Sequence, residues 1–263
     1  MRTFSFFNEK GGVGKSLHTV MFASFLAYDC GAKVLVVDFE NPSPRLDKTR
    51  ADELKKLSDP SSVLSRYVNS HGGLQELYDI CTPLKDQDFN YNKEQAEELR
   101  ESIWTLISTS KYDYILFDFP GLLVENSPAY DCIVHGQVDL VAVPFDTEPM
   151  TRRASLMTCS VIQRSMTHVI SFWNNVSAEE VKRKGFLEIG EKTFTKLGIE
   201  VSKYRIKSFV KARRDSSEHL FVRSTVCWPE RYVELACPSL IDFYRELKER
   251  LDNTDVNRNS VEM

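Results

Sequence analysis

Between an apolar run, TFSFF (3–7), and a helical run, KSLHTVMFASFLAYD (15–29), lies NEKGGVGKSL (8–17), and no other feature restricts the fold of this chain as strongly. A strand that passes through a glycine-rich loop into a helix aims successive backbone N–H groups, and a helix N-terminus, at phosphate oxygens. Gly11, Gly12 and Gly14 let the backbone curl around an anion on either side of Val13 without a Cβ in the way. Lys15 is placed to reach β- and γ-phosphates, and the Ser16 hydroxyl to take one Mg²⁺ position. The pattern G-x-x-x-x-G-K-[ST] fails at one place. Glu9 stands where its first glycine belongs, and a second lysine, Lys10, follows. We expect a nucleotide loop carrying an extra cation.

The remaining apolar runs support an α/β fold around that loop. KVLVVD (33–38), YDYILFD (112–118), DLVAVPFD (139–146) and HVISFW (168–173) are unbroken rather than alternating, as in strands covered on both faces. Helical stretches between them, including 15–29 and 93–110, have the length of crossover connections. The expected architecture is a doubly wound, mostly parallel sheet with helices on both faces, the P-loop NTPase fold. At 263 residues and 42% hydrophobic, the chain can bury one large core, so a single domain over 1–252 is expected. Charged helical pieces from about 44 to 92 break the rhythm and read as an insertion at one end of the sheet, or as a solvated connecting layer. A further run, IEVSKYRIKSF (199–209), precedes the basic VKARRDSS (210–217) and an amphipathic helix, PSLIDFYRELKERL (238–251). Residues 253–263 read as a disordered tail.

A net charge of -4 excludes a globally basic nucleic-acid binder and leaves only a local patch. Lys203, Arg205, Lys207, Lys211, Arg213, Arg214 and Arg223 form such a patch, interrupted by Asp215 and Glu218. The six cysteines have no C-x-x-C spacing and no histidine cluster beside them, which argues against zinc or a disulfide framework. The apolar run before Asn8 is too short for a signal peptide and no later run reaches spanning length, so a soluble cytoplasmic protein is expected.

Two carboxylates close buried runs. Asp118 ends YILFD and is the natural second Mg²⁺ holder, acting through a water, and Asp38 ends VLVVD in the same way. A lone aspartate at a strand end often only caps a helix, but two such strands beside a phosphate loop are harder to dismiss.

NEKGGVGKS, VLVVDFE, YDYILFDFPG and VAVPFD, in that order, resemble the deviant Walker-A ATPases of the ParA and MinD group from residue 3 to about 226. The resemblance implies an ATP- and Mg²⁺-dependent ATPase that forms a homodimer on binding ATP, hydrolyses it slowly and is stimulated by a partner protein. It implies that Lys10 reaches across the dimer to the partner subunit's phosphates, that Asp38 lies near the attacking water, and that Asp118 is the Walker-B residue. It makes Asn174 the reader of adenine, with Asn175 an adjacent competitor. Two departures stand out. Glu40 and a late Pro42 replace the usual D-P-Q ending, and Leu17 stands in the nucleotide loop where threonine is usual.

Within the group, membrane-positioning members end in a basic amphipathic helix, whereas helix 238–251 is nearly neutral and suits docking on its own domain, with no membrane contact. The DNA-partition type remains, with Lys211, Arg213, Arg214 and Arg223 as contacts to non-specific DNA. The shifted proline and the basic residues Arg45, Lys48 and Arg50 also resemble the TraA-like ATPases of Bacteroides-type conjugative transposons. The expected task is an ATP-dependent dimeric switch in DNA partition or in mobile-element maintenance and transfer. The alternative is a nucleotide-dependent protein-interaction switch that regulates conjugation machinery through residues 44–92, without DNA affinity of its own.

Overall fold

The unbroken apolar runs become strands of one sheet. The computed structural model describes residues 1–39, 46–83, 93–165, 167–182, 185–207 and 224–254. The strands are β1 (Arg2–Phe6), β2 (Val34–Asp38), β3 (Asp79–Cys81), β4 (Tyr114–Asp118), β5 (Leu140–Phe145), β6 (His168–Val176) and β7 (Glu200–Lys207). They lie in the order β3-β2-β4-β1-β5-β6-β7, and every pair is parallel. β1 therefore sits between β4 and β5, where the strand order reverses, and the loops after β1, β2 and β4 emerge at the same end of the sheet. In open α/β sheets ligands bind at that position.

Helices cover both faces, and side-chain alternation along each strand divides the core between them. Val34 and Val36 of β2 join Phe4, Phe6, Leu116 and Ala142 in one cluster. That cluster is closed by α1 (Lys15–Ser24) and by the last helix, α10 (Pro238–Asn253). Leu35 and Val37 face the other way, among Ile115, Phe117, Val141 and Val143. There α4 (Lys93–Thr109), α5 (Pro128–Val134), α6 (Pro149–Ile162) and α8 (Phe186–Lys196) complete the layer, and a short α7 (Ala178–Lys182) precedes α8. The helix expected over 15–29 is present, with its last turn, Phe25–Asp29, widened to π geometry. α10 buries Leu240, Phe243, Tyr244, Leu247 and Leu251, so its apolar face is spent on this domain.

The region from 44 to 92 holds α2 (Leu46–Leu57) and α3 (Val63–Ser70), and it also contributes an edge strand that sequence periodicity did not suggest. β3 pairs with β2 through Leu35↔Asp79, Val36↔Ile80 and Val37↔Cys81. Three residues, of which one is partly buried, are too few to show a period. Within this region Arg50 stacks on Tyr78 at 4.1 Å and donates to the Thr225 carbonyl at 2.9 Å. A side chain expected to be a surface cation is thus a clamp between α2 and the segment before α9 (Glu230–Ala236).

β7 forms the opposite edge. Its Ser202 and Ile206 are buried, while Lys203 and Lys207 are exposed, and charge along an edge strand discourages pairing with another chain. Arg205 binds Glu191 at 3.0 Å and Glu188 at 3.3 Å on α8, which commits that part of the basic run to the fold. Lys211, Arg213, Arg214 and Arg223 lie outside the described residues, as do Glu40, Pro42, Arg45 and the tail from 255 onward.

Candidate functional site

The glycine loop leaves β1 at the central switch point and is rooted by Asn8. Its fully buried carboxamide donates to the Pro144 carbonyl at 2.7 Å and to Ser155 Oγ at 2.7 Å, at the end of β5 and on α6. Its Oδ1 accepts from the Lys10 backbone N–H at 2.9 Å. One side chain therefore fixes where the loop begins and bends its first turn. Gly12 (φ 75°) and Gly14 (φ 94°) adopt left-handed backbone that a Cβ disfavours. Gly14 caps α1, and among the described residues no side chain caps this helix and none in its first turn is acidic. An anion is thus left to satisfy the first N–H groups of the helix.

The two loop lysines are treated differently. Lys15 is buried beneath the loop, its Nζ 3.5 Å from the Lys10 carbonyl, whereas Lys10 itself is exposed on the loop surface together with Glu9, Gly11 and Gly12. Gly121, just beyond β4, closes the loop from the side. A Cβ there would stand 2.9 Å from the Glu9 carbonyl, 3.1 Å from the Asn8 carbonyl and 3.2 Å from Lys15 Nζ.

Asp38 and Asp118 are direct register partners at the ends of β2 and β4, and both are buried. Asp38 Oδ2 accepts from the Leu46 N–H at 2.9 Å and so holds the start of α2. Ser16 lies in the first turn of α1, partly exposed, while Val13 is buried and Leu17 packs on the core. Ser16, at the start of α1, and Asp118, at the end of β4, supply hard oxygen donors on the same side of the sheet, a set that suits Mg²⁺ completed by phosphate and water. Among the described residues no cluster of three or more His, Cys, Asp or Glu side chains forms a dedicated metal cage. Mg²⁺ held mainly by substrate needs no such cage.

Asn174 ties β6 to the loop. It is buried under the loop with both carboxamide atoms engaged: Nδ2 donates to the Val13 carbonyl at 2.7 Å, and Oδ1 meets His18 Nε2 at 3.1 Å. Each contact uses one of the two hydrogens of Nδ2 and one of the two lone pairs of Oδ1, so the carboxamide keeps a second donor and a second acceptor. Asn175 is partly exposed and held at φ 59°. His18 in turn meets the Tyr244 hydroxyl at 3.0 Å through Nδ1. Burial lowers the His18 pKa from 6.5 to about 4, against a smaller opposing effect of the Asn174 hydrogen bond, so the ring is neutral at pH 7.

The sequence pointed to Lys10 through Leu17, Asp38 and Asp118, and the structure brings them to one end of the sheet. It adds Asn8, His18, Gly121 and Tyr244, which sequence reasoning missed. Asn8 had a faint signal as the polar residue directly after an apolar strand. A histidine three residues into an apolar helix face reads as core, and Gly121 reads as an ordinary turn.

Residues 1–164 match the AAA_31 family, described as an AAA domain. No curated protein matches the chain. Among solved structures, the MinD cell division protein of Aquifex aeolicus is 19% identical with a TM-score of 0.60, covering 95% of this chain and 98% of that one. A ParA family ATPase from Chlorobium tepidum is 20% identical with a TM-score of 0.58, over 94% of this chain and 98% of that one. The MinD protein of Pyrococcus horikoshii, complexed with Mg-ADP, is 17% identical with a TM-score of 0.54, over 94% and 97%. Among the described residues no helix is long and apolar enough to cross a membrane. With the AAA-domain match extending over more than half of its length, and its strand-loop-helix geometry in place, the chain belongs to the AAA_31 family and has the fold of the MinD and ParA proteins.

Proposed function

We propose that this protein is a ParA-like ATPase, a cytoplasmic switch that binds MgATP at the glycine loop, dimerises on it and hydrolyses it slowly under the influence of a partner protein. The observation that carries the reading is the opposite placement of the two loop lysines, Lys15 buried and Lys10 exposed. Lys15, with the N–H groups of the loop and of the α1 N-terminus, binds the β- and γ-phosphates of the same subunit's nucleotide. Lys10 reaches the nucleotide of a second copy and stabilises charge that develops on its transferring phosphoryl group, which makes nucleotide occupancy and dimerisation mutually dependent. Ser16 and Asp118 hold Mg²⁺, which neutralises phosphate charge when bound. Asp38 orients the attacking water, and its hydrogen bond to the Leu46 N–H passes a change at the phosphate end to α2. Asn174, with Asn175 as the adjacent alternative, reads the base.

The task we assign is DNA partition, or maintenance and transfer of a mobile element of the conjugative-transposon kind. Lys211, Arg213, Arg214 and Arg223 contact DNA without sequence preference. The test is binding of the purified protein to an arbitrary duplex with ATP, ADP or no nucleotide across a salt series. Salt-sensitive binding with ATP alone is expected. Intact ATP affinity with no DNA binding in any state would overturn the partition role in favour of a protein-interaction switch that uses the 44–92 region.

A further inference from the structure

The buried polar contacts under the loop run in one direction only, and that direction follows from which atoms can donate. The Val13 carbonyl only accepts, so the atom of Asn174 facing it at 2.7 Å is the amide nitrogen. The carboxamide oxygen then faces His18 Nε2 at 3.1 Å, and an oxygen there requires Nε2 to carry the hydrogen. The neutral ring is left with Nδ1 as an acceptor, filled by the Tyr244 hydroxyl at 3.0 Å. Around the imidazole stand the rings of Phe6 and Phe172, both at 5.2 Å, so each of these hydrogen bonds lies in apolar surroundings where losing one is costly.

We propose that Tyr244, His18 and Asn174 are positioning residues, a hydrogen-bond chain through which the terminal helix α10 sets the orientation of the Val13–Gly14 peptide and with it the affinity of the loop for phosphate. In a trans peptide the N–H points opposite to the C=O. Holding the Val13 carbonyl down on Asn174 turns the Gly14 N–H the other way, to the side the loop presents to an anion. Gly14 fits this arrangement twice over, because its φ of 94° favours glycine and a Cβ would stand 3.0 Å from Asn174 Nδ2. A loop whose peptide is free to flip would present a carbonyl to phosphate for part of the time. The chain removes that cost before the ligand arrives, which is how preorganisation raises affinity.

The proposal rests on the nucleotide reading of the loop, and its test separates the two. MgADP binding is measured by calorimetry for the unsubstituted protein and for Lys15→Ala, Asn174→Ala and Tyr244→Phe, at a temperature where circular dichroism shows each folded. Binding by the unsubstituted protein and its loss in Lys15→Ala establish the loop; no binding by the unsubstituted protein would remove the nucleotide reading and the proposal with it. Asn174→Ala is expected to weaken MgADP about tenfold or more, and Tyr244→Phe, which deletes one oxygen far from the ligand, about threefold. Nitrogen NMR of His18 is expected to show the Nε2–H tautomer, with the Nδ1 resonance moving in Tyr244→Phe, a signature that general loss of stability would not produce. Should Asn174→Ala fail to fold, Tyr244→Phe and the tautomer decide. Unchanged MgADP affinity in the folded variants, or an Nδ1–H tautomer, would overturn the chain while leaving the loop's ligand intact.

Discussion

β2 and β4 stay in unbroken register from Val34↔Tyr114 to Asp38↔Asp118, whereas β6 and β7 slip twice, between Ser171 and Trp173 and again between Trp173 and Val176. The straight pair lies within the AAA-domain segment and the slipping pair beyond it. Each pair delivers a side chain to the same loop by a different means. Straight strands carry Asp38 and Asp118 out at their ends, where the last residue of an apolar run must lie. The irregular strand turns Asn174 inward and leaves Asn175 in left-handed backbone, a re-aiming that bulges commonly perform. Chemistry placed by regular structure can be read from a motif. Support placed by an irregularity requires the packed molecule.

That contrast can be broken experimentally at either end. The largest effect is expected from Lys15→Ala, which removes the buried counter-charge of the regular half and should weaken MgATP binding by about a thousandfold or more in titration calorimetry. Next comes acid. The folded pKa of His18, about 4, lies below its unfolded value near 6.5, so folding favours the neutral ring. This contribution is complete above pH 6.5 and is lost as pH falls toward 4, amounting to about 3 kcal/mol of unfolding free energy. Denaturant melts at pH 7 and pH 5 should show the decline, and His18→Phe should flatten it.

Asp38→Asn retains an acceptor for the Leu46 N–H and deletes only the charge, so MgATP affinity should persist while turnover drops about a hundredfold in a phosphate-release assay. Lys10→Ala is the mildest change to a single subunit. Its MgATP affinity should stay within about twofold, while ATP-dependent dimerisation, followed by sedimentation, should weaken by about tenfold or more. Normal dimerisation in that variant would return Lys10 to the status of an exposed loop residue.

How much was legible in the sequence follows the same division. Five of the seven strands announced themselves as unbroken apolar runs, because a parallel strand covered on both faces has no polar side to alternate with, and the edge strand β7 showed only as a further run with charges interleaved. β3 did not, since Asp79, Ile80 and Cys81 carry little burial of their own and borrow their order from β2. The turns of the glycine loop were legible because they depend on backbone freedom at Gly12 and Gly14, which glycine spacing displays directly. The pairing of Arg205 with Glu188 and Glu191, and of Arg50 with Tyr78 and Thr225, was invisible because each joins residues remote in sequence, and both had looked like surface charge. The contacts of Asn174 with the Val13 carbonyl and His18 were not legible, since the sequence does not reveal which of two adjacent asparagines turns inward.

The central position of β1 has a consequence for synthesis. Its only sheet neighbours are β4 and β5, so Arg2–Phe6 must wait for residues more than a hundred positions later before they can pair. The glycine loop emerges from the ribosome ahead of Pro144, Ser155, Asn174 and Tyr244, on which its shape depends. Non-local pairing of this kind is slow and leaves apolar strands uncovered in the meantime. A nascent chain halted before Tyr244 would display the motif in full and lack the brace beneath it, so competence to hold nucleotide would arrive late, as a sign that folding had run to the final helix.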